Sequence, residues 1–222
     1  MWSIPKFSGA RQNPAGCASG RACRAESSRL VHDSWVDVDR ALADARAALA
    51  AAAQRLAGEG AAPEQFALTV PAHRALGLIP RRESFKRTGE GFLFGVLLVT
   101  TAGDVFATGS VVRASRQVLP GHQSESAQAR REVRHRLLDA RLPEGSTVVI
   151  DARALPLDDA AALAAERGPL VLRTGGEIEG VFVRWMPSAP DSALRPLSSY
   201  LAERLELALT TLAAARTKSE NP

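Results

Sequence analysis

The stretch FLFGVLLVTTAGDVFATGSVV, from Phe92 to Val112, decides the fold of this 222-residue chain. Residues 92–100 form a continuous apolar run, and residues 105–112 form a second apolar segment. The sequence Ala102–Gly103–Asp104 between them is typical of a hairpin turn. The first segment is too apolar to have a solvated face, so we expect it to lie in the centre of a β-sheet.

Helices and strands alternate around this hairpin. Residues 66–70 read as a strand, and residues 72–90 as a basic loop with a short edge strand at 83–87. Further strands are predicted at 147–150, 170–172 and 181–185, and helices at 36–57, 124–141, 157–167 and 197–216. This order predicts an α+β fold, in which an antiparallel or mixed sheet of about five to seven short strands carries helices on one face.

The composition is that of one globular domain with flanking segments. Hydrophobic residues make up 45% and charged residues 23%, which excludes a wholly disordered chain. We expect the domain to span residues 36–216, with a disordered or mis-started extension at 1–35 and a tail at 217–222. Cys17 and Cys23 lie in that extension without the spacing of a zinc site, so a reducing cytoplasm is the simplest compartment.

Charge and hydropathy exclude several classes of protein. The formal net charge of +4 comes mostly from residues 1–35, so the rest of the chain does not favour a surface that tracks phosphates. The longest uncharged apolar run, residues 91–103, is shorter than the ~20 residues that span a bilayer. Walker, HExxH and GxSxG motifs are absent, so no cofactor is predicted.

Arginines on both sides of the hairpin form the first candidate site. Guanidinium groups pair well with carboxylates and phosphates, so Arg81, Arg82, Arg113 and Arg116 are candidate ligands of a small anion. A solvated loop is the alternative, because lysine occurs only three times among the 28 lysines and arginines. Arginine is therefore common throughout the chain.

The loop after the hairpin carries the candidate catalytic residues. Ser110, His122, Ser124 and Glu125 supply hydroxyl, imidazole and carboxyl groups close to a predicted helix N-terminus, where functional sites are often found. Ser124 and Glu125 are equally explained as capping residues. His122 and Glu125 have the spacing of two metal ligands, but no further ligand follows, so no metal is predicted. Asp151 ends a predicted strand, as a catalytic carboxylate or a turn residue.

The predicted helix at 124–141 carries Arg130, Arg131 and Arg134 on one side. No aromatic residues interleave with them, so base stacking is not supported and nucleic-acid binding is not favoured. Two leucine stripes either pack on the domain or form a homodimer contact. These stripes are Leu42/Leu49/Leu56 and Leu201/Leu205/Leu212.

Three motifs resemble a known group of proteins. FATGSVVR at 106–113, Ser124–Glu125–Ser126 before an arginine-rich helix and LPEG at 142–145 are similar to small actinobacterial proteins, some of which are called glutaminases. The resemblance covers about residues 36–215 and implies hydrolysis of L-glutamine to glutamate and ammonia. The residues offer this chemistry Ser110 or Ser124 as nucleophile, and His122 or Glu125 as base. The S-x-x-K pair of serine-dependent glutaminases occurs only at Ser3–Lys6, in the extension.

Three functions follow from these observations. The residues favour a cytoplasmic module that binds a small or anionic ligand, or a protein partner. The alternative, implied by the resemblance, is a glutaminase-type amide hydrolase. The third is nucleic-acid binding through the arginine-rich helix.

Overall fold

The computed structural model describes residues 22–75, 79–116, 124–174 and 179–220. Contacts divide the chain into two units, residues 1–37 and 38–222. The α-helices are α1 (Ala22–Gly58), α2 (Glu125–Asp139), α3 (Ala160–Ala165) and α4 (Leu197–Glu220). The strands are β1 (Glu64–Val70), β2 (His73–Ala75), β3 (Ile79–Arg81), β4 (Ser84–Phe94), β5 (Leu97–Val99), β6 (Val105–Ala107), β7 (Ser110–Arg113), β8 (Thr147–Ile150), β9 (Arg153–Ala154), β10 (Leu170–Arg173), β11 (Gly180–Val183) and β12 (Arg195–Pro196).

Seven of the described strands form one mixed sheet in the order β7-β8-β1-β4-β5-β6-β9. The pair β1–β8 is parallel, and its other pairs are antiparallel. Strands β10, β11 and β12 form a second sheet, and β2 pairs with β3. The predicted α+β class with a mixed sheet is therefore confirmed.

The large sheet curls into a barrel. Strands β6 and β7 belong to one chain segment and are joined by two residues, and β8 and β9 belong to another and are also joined by two residues. The pair β7–β8 forms one end of the strand order and the pair β6–β9 forms the other, so the same two segments make both ends. Phe106 pairs with Ala154, and Ser110 pairs with Ile150, so the register is the same on both sides of the joining residues. The segment 105–113 thus runs along the segment 147–154, which also pairs with β1. Every strand segment then has two neighbours, which is the condition for closure.

Side chains from all five strand segments of the barrel fill its interior. These segments are β1, β4, β5, β6 with β7, and β8 with β9. The rings of Phe66 and Phe106 meet edge to face, with centroids 5.6 Å apart, although their strands are separated by β4 and β5. Leu93, Leu98 and Val149 belong to the same interior cluster. Gly91 makes room for this packing, because a Cβ there would lie 2.9 Å from the Phe66 ring and 2.6 Å from a backbone oxygen.

The helices cover the outside of the barrel. The apolar face of α1 packs with outward residues of β4, β5 and β6, and with α3, α4, β10 and β11, in the largest core cluster. Helix α2 covers β1, β7 and β8 in a second cluster that contains Leu137 and Val148. Burial of these outward faces holds the small sheet β10-β11-β12 against the barrel.

Two features of the hairpin region differ from the prediction. The apolar run 92–100 is two strands, because Gly95 has a positive φ of 65° and turns the chain between Phe94 and Leu97. The segment predicted at 105–112 bends after Ala107. Among the described residues of this region, 73–75 and 79–81 are strands where a loop was predicted, so that part of the prediction was wrong. The strand predicted at 83–87 is present as the start of β4, but it lies between β1 and β5 and not at an edge of the sheet. Strand β4 begins at Ser84 and pairs along the whole of β1.

The predicted helices are present with different ends. Helix α1 begins at Ala22, before the predicted start at residue 36, and α4 continues to Glu220, past the predicted end at residue 216. Helix α3 is shorter than predicted, since it covers only Ala160–Ala165. Residues 1–21 and 221–222 lie outside the described residues, so the proposed extension and tail remain predictions there.

Candidate functional site

A cavity of about 670 Å³ lies between the barrel and the segment that contains α3, β10 and β11. We call it the arginine cavity, because Arg153, Arg167 and Arg184 line it. The other lining residues are Val96, Ala107, Thr108, Leu163, Ala164, Gly168, Pro169, Leu170, Val171, Leu172 and Pro187. Its volume is within the range of small-molecule sites.

Arg184 is the most firmly held of the three arginines. It follows β11, and its backbone N–H donates to the Pro169 carbonyl at 2.7 Å, which extends the β10–β11 ladder. Its Nη1 donates to the Ala189 carbonyl at 2.5 Å, and its Nη2 donates to Asp191 Oδ1 at 2.7 Å. With only 23% of its side chain exposed, Arg184 is fixed in place before any ligand binds.

Arg153 enters the cavity from the barrel side. It is the first residue of β9 and pairs with Ala107, which also lines the cavity. Its Nε lies 3.5 Å from Glu166 Oε2. This ion pair links the barrel to the residue that ends α3 and partly compensates the charge of Arg153, whose side chain is more than half exposed.

Arg167 follows α3 in a conformation that glycine usually adopts. Asp159 caps the helix by accepting a hydrogen bond from the Ala162 N–H at 2.9 Å, and Glu166 ends it. Arg167 then has a positive φ of 45°, as expected of the residue after a helix C-cap. Among the described residues, no carboxylate or carbonyl accepts a hydrogen bond from its guanidinium, so its charge is uncompensated.

The electrostatics of the cavity favour an anion. Its lining contains three arginines and neither Asp nor Glu. Asp191 pairs with Arg184, and Glu166 pairs with Arg153. Neither of these acidic residues belongs to the lining. Thr108 is the neutral hydroxyl of the wall, and its Oγ1 donates to the Gly95 carbonyl at 3.0 Å. A partly enclosed site strengthens such interactions relative to open water.

The arginines predicted as anion ligands lie elsewhere and in two places. Arg81 ends β3 opposite His73, and the exposed Arg82 follows it. Arg113 ends β7, and the Arg116 N–H donates to Glu144 Oε1 at 3.1 Å. No described contact joins the two pairs, so their role as ligands of one anion stays a prediction.

The predicted catalytic residues are exposed where the structure describes them. Ser110 lies opposite Ile150 in the β7–β8 ladder, and Ser124 Oγ lies 3.2 Å from Ser126 Oγ. Ser124 is the N-cap residue of α2 without a side-chain capping bond, and Glu125 is in the first turn. Within the described residues neither serine contacts a general base. His122 lies outside them, so the predicted set is untested.

The arginine-rich helix and the leucine stripes have definite positions. On α2, Leu137 faces the core while Arg130 is exposed, and Arg136 Nη1 donates to Glu83 Oε1 at 2.7 Å. Leu42, Leu49 and Leu56 are all buried in the core of the domain. The first stripe therefore packs on its own domain and leaves no exposed leucine face for a partner. The homodimer itself remains a prediction.

Two features are absent from the part of the chain that the structure describes. No group of three or more His, Cys, Asp or Glu side chains is arranged to hold a metal ion there. None of the described helices combines the length and apolar character that crossing a membrane requires.

Comparisons with family models, curated proteins and solved structures gave no match for this chain. The resemblance to small actinobacterial proteins therefore rests on the three sequence motifs alone.

Sequence reasoning missed all three arginines of the cavity. They come from separate segments, and each lies just inside or just after a strand or helix end. The helix ending at residue 167 was predicted, but a basic residue at a helix end has an ordinary structural explanation. Only the packing of β10 against the barrel brings the three together.

Proposed function

We propose that this protein binds a small organic anion in the arginine cavity. The observation that carries the proposal is the presence of three arginines from three chain segments in the lining of one cavity, which contains no Asp or Glu. Guanidinium groups bind planar and tetrahedral oxyanions through charge-assisted hydrogen bonds. The proposal retains the predicted class of ligand and moves its site away from Arg81, Arg82, Arg113 and Arg116.

The cavity has the features of a preorganised site. Arg184 is held by two hydrogen bonds, and Arg153 is held beside Glu166. Arg167 has no described acceptor and supplies a charge that a ligand can neutralise. A site whose cations are already ordered loses less conformational entropy when the ligand binds.

The test compares Arg167→Gln with Arg141→Gln in the full chain. Arg141 is a matched control, because it is also exposed, follows a helix and has a positive φ of 62°. The probes are acetate, hexanoate, inorganic phosphate and pyrophosphate, measured by thermal unfolding and titration calorimetry. We expect at least one probe to stabilise the protein, with about ten- to hundredfold weaker binding in Arg167→Gln.

The control defines the outcome that contradicts the proposal. Binding to Arg141→Gln should equal binding to the unchanged protein. Equal losses in both variants, or no stabilisation by any of the four probes, would overturn the proposal. An Arg81→Gln/Arg113→Gln variant that alone loses binding would place the anion on the surface predicted from the sequence.

A further inference from the structure

We infer that the anion of the arginine cavity is a monocarboxylate with an extended apolar body. This inference rests on the proposed function and names its ligand class. Four observations separate such a ligand from phosphates and other polyanions: the charge left uncompensated, the helix C-terminus at the cavity, the apolar walls, and the exposed apolar residues that follow Arg184.

The charge of the cavity matches one negative charge. Arg184 already pairs with Asp191 and Arg153 with Glu166. Among the described residues, Arg167 is the cavity arginine without a carboxylate partner, so one unit of positive charge is left for the ligand. A dianion would keep part of its charge unpaired in a partly enclosed site, which is unfavourable.

The backbone around the cavity also disfavours a phosphate. Phosphate sites commonly use backbone N–H groups at a helix N-terminus. Here α3 contributes Leu163 and Ala164 to the lining, and Arg167 and Gly168 follow its C-terminus. That end of a helix presents carbonyl oxygens, so its only attraction for an anion is the Arg167 side chain.

The walls of the cavity are suited to an aliphatic or aromatic group. Most of the lining is apolar and comes from both sides: Val96, Ala107, Leu163, Ala164, Pro169, Leu170, Val171, Leu172 and Pro187. Leu163 and Leu170 belong to the main core, so the floor of the cavity is continuous with it. A ligand that is only a charged group would leave these walls unfilled.

Two exposed apolar residues lie in the chain between two lining residues of the cavity, Arg184 and Pro187. Trp185 and Met186 follow Arg184 directly, and each is 43% exposed, while Pro187 lines the cavity. Large apolar side chains exposed beside an arginine are typical of binding surfaces. The carboxylate would pair with Arg167 beside Arg184, and a longer apolar body would extend towards Trp185.

The experiment measures affinity against chain length by titration calorimetry with the full chain. The probes are acetate, butanoate, hexanoate and decanoate, with hexanamide as the neutral control and inorganic phosphate and pyrophosphate as competing anions. We expect affinity to rise by up to about fourfold for each added methylene group that is buried. Hexanamide and both phosphates should bind at least tenfold more weakly than hexanoate.

Three variants separate the body of the ligand from its charge. Val171→Thr conserves the shape of a wall residue outside the core cluster, so it should weaken hexanoate binding and leave acetate binding unchanged. Trp185→Ala should weaken decanoate binding more than butanoate binding. Arg167→Gln should weaken every carboxylate by a similar factor.

The outcomes distinguish this inference from the proposed function. Tighter binding of phosphate or pyrophosphate than of hexanoate, lost in Arg167→Gln, would overturn the ligand class and leave anion binding in place. Affinity that does not rise with chain length would do the same. Failure of all anions to bind would overturn both.

Discussion

The carboxylate of Asp151 accepts two hydrogen bonds from Thr69, one from the backbone N–H at 2.8 Å and one from the hydroxyl at 2.7 Å. Asp151 follows β8 at the bend before β9 and has a positive φ of 57°. Its own N–H donates to the Ala67 carbonyl at 2.9 Å. Asp151 therefore links the end of β1 to the bend between β8 and β9. These contacts give Asp151 a structural role, so its place at the end of a strand needs no catalytic explanation.

Replacement of Asp151 should destabilise the barrel. Asp151→Ala removes both acceptors and keeps the positive φ, so we expect the free energy of unfolding to fall by about 1–3 kcal/mol. Asp151→Asn retains one acceptor and tolerates that φ, so its loss should be smaller. Urea denaturation of both variants, with Thr69→Val and the double variant, measures the coupling. Additive losses would show that the two side chains do not interact.

The hydroxyl of Tyr200 stabilises the β4–β5 turn. It donates to the Phe94 carbonyl at 3.0 Å and accepts from the Val96 N–H at 3.2 Å. Tyr200→Phe leaves both backbone groups without this partner, and we expect a loss of about 1–2 kcal/mol in urea denaturation. Gly95→Ala should cost more, because a Cβ at this positive φ would overlap the same hydroxyl. Wild-type stability of Tyr200→Phe would contradict this role.

Glu64 gives the stability a definite dependence on pH. Burial raises the pKa of its carboxyl above the ordinary value, although the Leu93 N–H donates to it at 3.2 Å and acts in the opposite direction. The folded state therefore holds this proton more tightly than the unfolded state. Stability from this group is present below the unfolded pKa and is lost as pH rises through the folded pKa.

Glu64→Gln tests that dependence. Glutamine keeps an acceptor for the Leu93 N–H and has no charge to desolvate. We expect the variant to be more stable than the unchanged protein at pH 7, with the difference shrinking as the pH falls towards the unfolded pKa. Denaturation at pH 4 to 8 provides the measurement, and a constant difference across that range would contradict the assignment to Glu64.

Asp191 sets the charge that the arginine cavity offers. Asp191→Asn conserves an acceptor for Arg184 Nη2 and removes the negative charge that compensates it. Because Asp191 is largely exposed, the change in affinity should be modest. We expect inorganic phosphate to bind about two- to fivefold more tightly to the variant. Titration calorimetry, with acetate for comparison, should show a larger gain for phosphate than for the monoanion.

Glutamine hydrolysis provides a separate test of the sequence resemblance. For an anion-binding protein we expect ammonia release from L-glutamine at the rate of the protein-free blank. Ser110→Ala and Ser124→Ala serve as the matched variants, because both serines are exposed and outside the core. Turnover that is lost in one of these variants would establish the hydrolase instead.

The class of fold was predictable because periodicity and turn residues are local signals. The turn around Gly103 was predicted from such signals and is present, and the strands predicted at 170–172 and 181–185 are present as the pair β10 and β11. Gly95 lies inside the run 92–100, which was predicted as a single segment of the sheet. The seven-residue run from Phe94 to Thr100 is apolar on both sides of the turn, so hydropathy alone does not mark the reversal.

Closure of the barrel and the position of the site depend on pairs that are distant in sequence. Thr69 and Asp151 are 82 residues apart, and no single stretch of sequence records their contact. Arg153, Arg167 and Arg184 meet only after β10 packs beside the barrel. In a chain with many arginines, no local pattern distinguished these three from the arginines on α2.

The parallel pair of β1 and β8 also determines when the barrel is completed during synthesis. Strand β1 is translated early, and its partner in the pair follows about eighty residues later. Until Ile150 has left the ribosome, β1 keeps one edge of unpaired backbone groups, which can template aggregation. Folding must therefore wait for a long-range encounter, which slows it relative to helical proteins of similar size. Nascent chains that end before residue 147 should depend on chaperones, whereas chains released after residue 154 contain every strand segment of the barrel.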